Sequence, residues 1–179
     1  ELRWEKVKTI NVGLDFETKN KRVWGSAEYY HKSGLDLFGD EYIAPSTGNL
    51  QIRGNFAETK TNGVDLNLNA LILDGKIKWD ANLLISYVKD RVTSYTIKSP
   101  ANSLLQYGDN GFILYPRQGF PLFSMYSLPW AGLDPTNGNP QGLLNGTIST
   151  DYNALLNNTT PEGLIYHGSA VPVLFGGFR

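Results

Sequence analysis

The chain has 179 residues with 16 Lys+Arg against 17 Asp+Glu, a formal net charge of -1, so nothing in its overall balance calls for nucleic acid or an anionic surface. It contains no cysteine, which excludes disulfide frameworks, thiolate metal sites and thiol nucleophiles together. Ten tyrosines and nineteen glycines suit β structure with many turns.

No run approaches the ~18–20 apolar residues of a membrane helix, but a membrane strand needs only ~9–11 residues with every second one apolar. A mean hydropathy of -0.29 is compatible with either location. The chain starts at Glu1 and carries no closing signal after Phe178-Arg179, and it is expected to be part of a longer protein.

The first pattern is a hairpin. Ile10, Val12, Leu14 and Phe16 share one face, and Asn11, Gly13, Asp15 and Glu17 share the other. Lys19-Asn20-Lys21 forms a short polar turn. The return strand, roughly 22–37, sets Val23, Gly25, Ala27 and Tyr29 against Ser26, Glu28 and Tyr30. A connection of about twenty residues follows, roughly 38–57, with Pro45, Gly48 and Gly54.

The second hairpin is the clearest signal in the chain. Val64, Leu66, Leu68, Ala70 and Ile72 alternate with polar residues, as do Ile77, Trp79, Ala81, Leu83, Ile85 and Tyr87. Asp-Gly is a preferred two-residue hairpin turn. With Asp74-Gly75 at the turn, Ile72 faces Ile77, Ala70 faces Trp79, Leu68 faces Ala81, Leu66 faces Leu83 and Val64 faces Ile85. The opposite face then carries Asp65, Asn67 and Asn69 against Leu84, Asn82 and Asp80. One surface is continuously apolar and the other mostly hydrogen-bonding, which suits a transmembrane β-barrel wall.

Two further features agree. The connections run tight turn, long loop, tight turn, long loop, the asymmetry of barrels with short periplasmic turns and long external loops. Trp79 and Tyr87 lie ~26 Å apart along a strand, or ~20 Å along the membrane normal at a tilt near 40°, close to the ~25 Å band bounded by aromatic girdles. Trp79 is expected at the periplasmic edge and Tyr87 at the outer edge. The same two residues also fit the core of a soluble sheet.

From Tyr95 onward the strand pattern stops. Phe112, Tyr115, Phe120, Phe123, Tyr126 and Trp130 are interleaved with Pro116, Pro121, Pro129 and Pro135. Residues 95–179 read as a long aromatic, Pro- and Gly-rich external loop region packed on its own side chains. It holds one short helix near 151–156 with Asp151 as N-cap.

No catalytic constellation is present. Asp36 and Asp40-Glu41 are loop carboxylates, and His31 and His167 lack the partners of a triad or a metal site. Gly108-Asp-Asn-Gly111 and Gly138-Asn-Pro-Gln-Gly142 lack a phosphate-loop pattern and read as turns. The sequons at Asn145, Asn157 and Asn158 read as coincidental matches. Asp65, Asn67, Asn69, Asp80 and Asn82 read as a polar lining whose members pair across strands. The expected ligand contacts are Tyr126, Trp130 and Asp134, since flat aromatic faces beside Asp and Asn suit sugar rings. Their competing role is to brace the loop. No enzyme, metal or cofactor is expected.

Several words of the sequence resemble one family. Asn55-Phe56-Ala57-Glu58-Thr59-Lys60-Thr61-Asn62-Gly63-Val64-Asp65 and Trp130-Ala131-Gly132-Leu133-Asp134-Pro135-Thr136-Asn137-Gly138-Asn139-Pro140-Gln141-Gly142 are similar to SusC/RagA-type TonB-linked outer-membrane proteins of Bacteroidetes. So are Tyr29-Tyr30-His31-Lys32 with Asp36-Leu37, and Tyr166-His167-Gly168-Ser169-Ala170-Val171-Pro172. The motifs occur in the family's order and place the chain late in the barrel, before the last strands.

The resemblance implies an all-β fold, antiparallel strands forming part of a transmembrane barrel of about 22 strands, with long extracellular loops. It implies import of glycans or peptides across the cell outer membrane under a SusD-like surface lipoprotein. It also implies a plug and a TonB-contacting segment, neither represented in this chain. Partners would then be that lipoprotein, TonB, outer-membrane lipid and the rest of the barrel. The alternatives are a soluble secreted β-rich carbohydrate-binding module and, more weakly, an adhesin or scaffold barrel. They differ in what covers the apolar face of residues 64–87.

Overall fold

The computed structural model describes residues 2–42, 51–105 and 115–179, without the side chains of residues 40–42 and 51. Gly108-Asp-Asn-Gly111, Phe112 and the side chains of Asp40 and Glu41 therefore lie outside the described residues. The strands are β1 (Lys6–Glu17), β2 (Val23–Tyr42), β3 (Gln51–Asp74), β4 (Lys78–Tyr95), β5 (Ser124–Ser127), β6 (Trp130–Leu133), β7 (Pro140–Leu144), β8 (Thr147–Ser149), β9 (Ile165–Ser169) and β10 (Leu174–Phe178). Helix α1 (Ala101–Leu105) follows β4, and α2 (Tyr152–Asn158) with a 3-10 turn (Pro161–Gly163) separates β8 from β9. Two compact units result: residues 1–96 with 172–179, and residues 97–171.

The first unit is a five-stranded antiparallel sheet in the order β1-β2-β3-β4-β10. Strands β2, β3 and β4 run 20, 24 and 18 residues, well beyond the ~9–11 needed to cross a bilayer. Alternation survives across all of them. One face carries the row Leu14, Ala27, Leu66, Ile85, Gly176, and the next row carries Phe16, Gly25, Leu68, Leu83, Phe178. The other face carries Asp15, Ser26, Asn67 and Leu84, then Glu17, Trp24, Asn69 and Asn82.

The register within the second hairpin differs from the sequence-based expectation. Leu68 faces Leu83, Leu66 faces Ile85 and Val64 faces Tyr87, two residues away from the expected pairing. Asn69 faces Asn82, Asn67 faces Leu84 and Asp65 faces Ser86. The cause is local: the loop takes Gly75 to Ile77 instead of two residues, and Ile72 is an extra residue at a bulge between Leu71 and Leu73. Because a shift of two preserves the side-chain period, residues 64–71 keep their expected faces, but past the bulge Leu73 opposes Trp79 and Ile77 lies in the loop, so the expected Ile72–Ile77 pair does not form. The first turn is where Lys19-Asn20-Lys21 puts it, closed by Thr18 N–H to Val23 O at 2.8 Å and Lys21 N–H to Thr18 O at 2.8 Å.

Two boundaries move. The connection expected over 38–57 is shorter, because β2 continues to Tyr42 and β3 begins at Gln51, with 43–50 outside the described residues. The region expected to be loop to its end closes with β10, whose Leu174, Gly176 and Phe178 face Tyr87, Ile85 and Leu83 on β4. Its Phe-Gly-Gly-Phe center has too little alternation to announce a strand; long-range pairing makes it one.

The aliphatic face is uncovered. Buried apolar residues among those described are Val92, Ala101, Leu104, Leu155 and Leu164, and none belongs to the stripe from Val64 to Tyr87. Val64 is 43% exposed and Tyr87 42%. No helix of the described residues is long and apolar enough to cross a membrane.

Candidate ligand-contact site

The second unit builds its own core. Ala101 and Leu104 of α1 pack with Leu164, and Leu105, Tyr115, Tyr126 and Leu128 close around them. Strand β5 pairs with β9, while β6, β7 and β8 form a separate three-stranded sheet. Helix α2 lies on β7, where Leu155 packs against Gly142; a Cβ there would stand 2.9 Å from Leu155. The helix begins as its sequence indicates, Asp151 accepting from Ala154 N–H at 3.0 Å.

Aromatic rings converge on one arginine. Phe120, Tyr126 and Tyr166 stand 5.0–5.8 Å apart between centroids. The Arg117 guanidinium lies 4.6 Å from the Phe120 ring and 5.9 Å from Tyr126. It is held there by Pro161 O at 2.8 Å and by Glu162 at 3.4 Å. Cation–π contacts of this kind rigidify a loop at modest energy, ~0.5–2 kcal/mol each. Burial raises the Tyr126 phenol pKa above its ordinary 10.0, outweighing the opposite pull of Ser124 and Arg117. Sequence reading missed Arg117, because a single basic residue among aromatics carries no spacing signal.

The three expected contact residues therefore separate. Tyr126 belongs to the braced cluster on β5. Trp130 opens β6 with 64% of its surface exposed, leaving an indole available for stacking. Asp134 follows the end of that strand at Leu133 and is occupied by the turn: its Oδ1 accepts from Thr136 N–H at 2.8 Å, and its own N–H donates to Asn139 O at 2.8 Å. Trp130 and Asp134 thus share one strand-and-turn element, with exposed Leu133 beside them. His167 meets Ser127 Oγ at 2.7 Å across β5–β9.

The polar face of the long sheet is a second surface able to meet solute. Asn82 Nδ2 donates to Asn67 Oδ1 at 2.9 Å and Asn69 Oδ1 at 2.8 Å, so the three amides are locked to one another across strands. Asn11 donates to Glu28 at 3.2 Å. Tyr30 lies over Gly63, where a Cβ would fall 2.1 Å from Cζ. A concavity of about 730 Å³ opens among Asp15, Glu17, Lys21, Trp24, Asn67 and Asn69.

With this geometry in place, known proteins can be compared. No protein-family model matches the chain. It is 29% identical over 110 residues to the TonB-dependent receptor SusC of Bacteroides thetaiotaomicron, covering 60% of this chain and 11% of the receptor. It is 24% identical over 172 residues to a TonB-dependent receptor of Formosa agariphila, covering 94% of this chain and 16% of that protein. The RagAB peptide importer in its "closed-closed" state superposes with a TM-score of 0.71 at 23% identity, over 99% of this chain and 19% of that one. The chain resembles a barrel segment of SusC/RagA-type TonB-dependent receptors. The likeness in fold matches the long antiparallel sheet to part of a β-barrel that this chain does not close. The chain spans about a fifth or less of the SusC/RagA-type proteins it matches.

Proposed function

We propose that this chain supplies wall strands and external loops of a TonB-dependent importer in the outer membrane, working with a SusD-like surface lipoprotein as lid. The cargo class is glycans or peptides, and the role is non-enzymatic. One observation carries the reading: a five-stranded sheet with one continuous apolar face that no element of its own unit covers, and a hydrogen-bonded reverse face. Acyl chains suit the first and water with cargo suits the second. The likeness to the SusC receptor and the RagAB importer supports the same assignment. Cargo would pass along the polar face once a plug rearranges, and Trp130 would offer a stacking surface at the external mouth.

The test is extraction followed by uptake. The barrel carrying this chain should stay in the membrane through an alkaline wash and leave it only with detergent; release into the aqueous fraction would end the proposal. A tagged barrel should co-purify with one surface lipoprotein. Trp130→Ala should reduce uptake of labelled oligosaccharide or peptide by about tenfold, the scale of one lost stacking contact. Unchanged uptake would remove Trp130 from the contact set.

A further inference from the structure

An indole stands where the polar face of the long sheet meets the tight turn at residues 18–22. Trp24 occupies the row Glu17, Trp24, Asn69, Asn82, and the adjacent row reads Asp15, Ser26, Asn67. Its direct cross-strand neighbours are a carboxylate on one side and an amide on the other, with Cβ atoms ~5 Å away. Asp15 and Asn67 stand diagonally, at ~7–8 Å. Trp24 keeps 40% of its surface exposed and has no ring, cation or hydrogen-bonding partner for its side chain among the described residues. An indole that braced the sheet would be covered. This one lines the open concavity of about 730 Å³ together with Asp15, Glu17, Lys21, Asn67 and Asn69.

The wall of that concavity is fixed by its own hydrogen bonds. Asn82 Nδ2 donates to Asn67 Oδ1 at 2.9 Å and to Asn69 Oδ1 at 2.8 Å, and Asn69 Nδ2 donates to Asn67 Oδ1 at 3.3 Å. Both amide oxygens are thus engaged, while the Asn67 amide nitrogen keeps its protons to offer. In the turn, Thr18 Oγ1 accepts from Val23 N–H at 3.0 Å, and Lys21 is held at φ 55°. The side chains of Asp15, Glu17 and Lys21 carry no hydrogen bond or ion pair among the described residues. Two carboxylates therefore wait to accept, and Lys21, Trp24 Nε1–H and Asn67 Nδ2 wait to donate.

That mixture selects the ligand. An ammonium or guanidinium only donates, so it would satisfy the carboxylates but leave three donors unmet and meet repulsion from Lys21. An anion only accepts, and it would face two carboxylates. A hydroxyl does both, and a pyranose ring adds a flat C–H face that suits an indole. We infer that Trp24, with Asp15, Glu17 and Asn67, binds a neutral pyranose ring of a glycan. On the membrane-wall reading, on which this inference rests, the subsite lies at the short-turn end of the polar face, where cargo leaves the barrel. Its volume falls within the ~300–1,000 Å³ of small-molecule sites. The cargo class narrows accordingly to carbohydrate.

The experiment uses the complete barrel that carries this chain, in detergent micelles, with glucose, galactose and mannose each titrated to millimolar concentration. Saturation transfer from protein to sugar is read by NMR. At least one of the three should receive transfer at its ring C–H protons, with an affinity that falls about tenfold in Trp24→Ala and survives in Trp24→Phe. Asp15→Asn with Glu17→Gln should weaken the same sugar by a similar factor, and circular dichroism should be unchanged in every variant. The tripeptide Gly-Lys-Gly is titrated alongside. Trp24-dependent binding of the tripeptide as tight as that of the sugars would mark a cation site and overturn the inference. So would the absence of Trp24-dependent transfer to all three sugars. A barrel needing detergent yet showing no such transfer sinks only this inference; one found in the aqueous fraction sinks the membrane reading itself.

Discussion

Leu68 and Leu83 face each other midway between Trp79 and Tyr87, so on the proposed membrane-wall reading a charge at either would enter the hydrocarbon at its deepest level. Leu68→Arg or Leu83→Arg should each cost ~2–4 kcal/mol in reversible folding of the barrel into lipid, whereas Asn67→Arg, one residue away on the polar face, should cost well under half of that. Equal losses at both faces would refute the assignment. That alternation was readable from the sequence, because period two needs only the order of apolar and polar residues. The role of Asp134 was not: whether a carboxylate serves ligand or turn depends on backbone N–H groups, here that of Thr136, which composition cannot place. Tyr126 offers a pH test. Its phenol pKa is raised in the folded loop, so the folded state holds that proton more firmly than the unfolded chain. The associated stability is complete below pH 10.0, the ordinary phenol value, and falls as pH rises past it toward the folded pKa. Tyr126→Phe should therefore lose less loop stability than the native chain between pH 9 and 11 in a thermal melt followed by tyrosine absorbance, and identical alkaline curves would contradict it.

Elements with strong local chemistry were legible and those made by distant pairing were not. The turn at Lys19 and the helix start at Asp151 appear where short-range signals put them, and the second hairpin turns beside the Asp74-Gly75 pair, with the loop moved to residues 75–77. The bulge at Ile72 was hidden, since it leaves the alternation on both sides intact and changes only which residues oppose. Strands β5 to β9 are three to five residues long, too short for a period to register. One missed signal was available: Asn145-Gly146, a preferred hairpin pair, turns β7 into β8 with both residues left-handed, at φ 51° and 82°. At this scale the cap of α2 is the sharpest test. Asp151→Ala removes the bond to Ala154 N–H and should cost ~0.5–2 kcal/mol of local stability. The helix seats fully buried Leu155, so the loss should appear as faster hydrogen exchange at the α2 amides, with β2–β4 amides unaffected. Uniform acceleration in both units would show that the cap acts globally.

At the scale of the whole molecule, the sheet has a greasy face and two open edges at once. Among the described residues, strand β1 is paired only with β2, and β10 only with β4. In β1 every residue from Lys6 to Glu17 is exposed. A detergent micelle can cover the apolar face but cannot donate or accept the backbone hydrogen bonds of those edges, and in hydrocarbon each unmet group costs several kcal/mol. Detergent alone is thus insufficient to make this chain a monomer. Refolded by itself into micelles, it should associate edge to edge, with sedimentation showing species of two or more chains per micelle that grow with protein concentration. The complete barrel, whose flanking strands occupy both edges, should run as one chain under the same conditions. Blocking one edge gives the decisive comparison. Successive N–H groups of a strand point to opposite sides, so of Val12→Pro and Gly13→Pro one removes a donor from the free edge and should cut association, while the other breaks a β1–β2 ladder bond and serves as its control. A concentration-independent monomer from the isolated native chain would mean that its edges are satisfied internally, and the sheet would then be a finished structure instead of an arc.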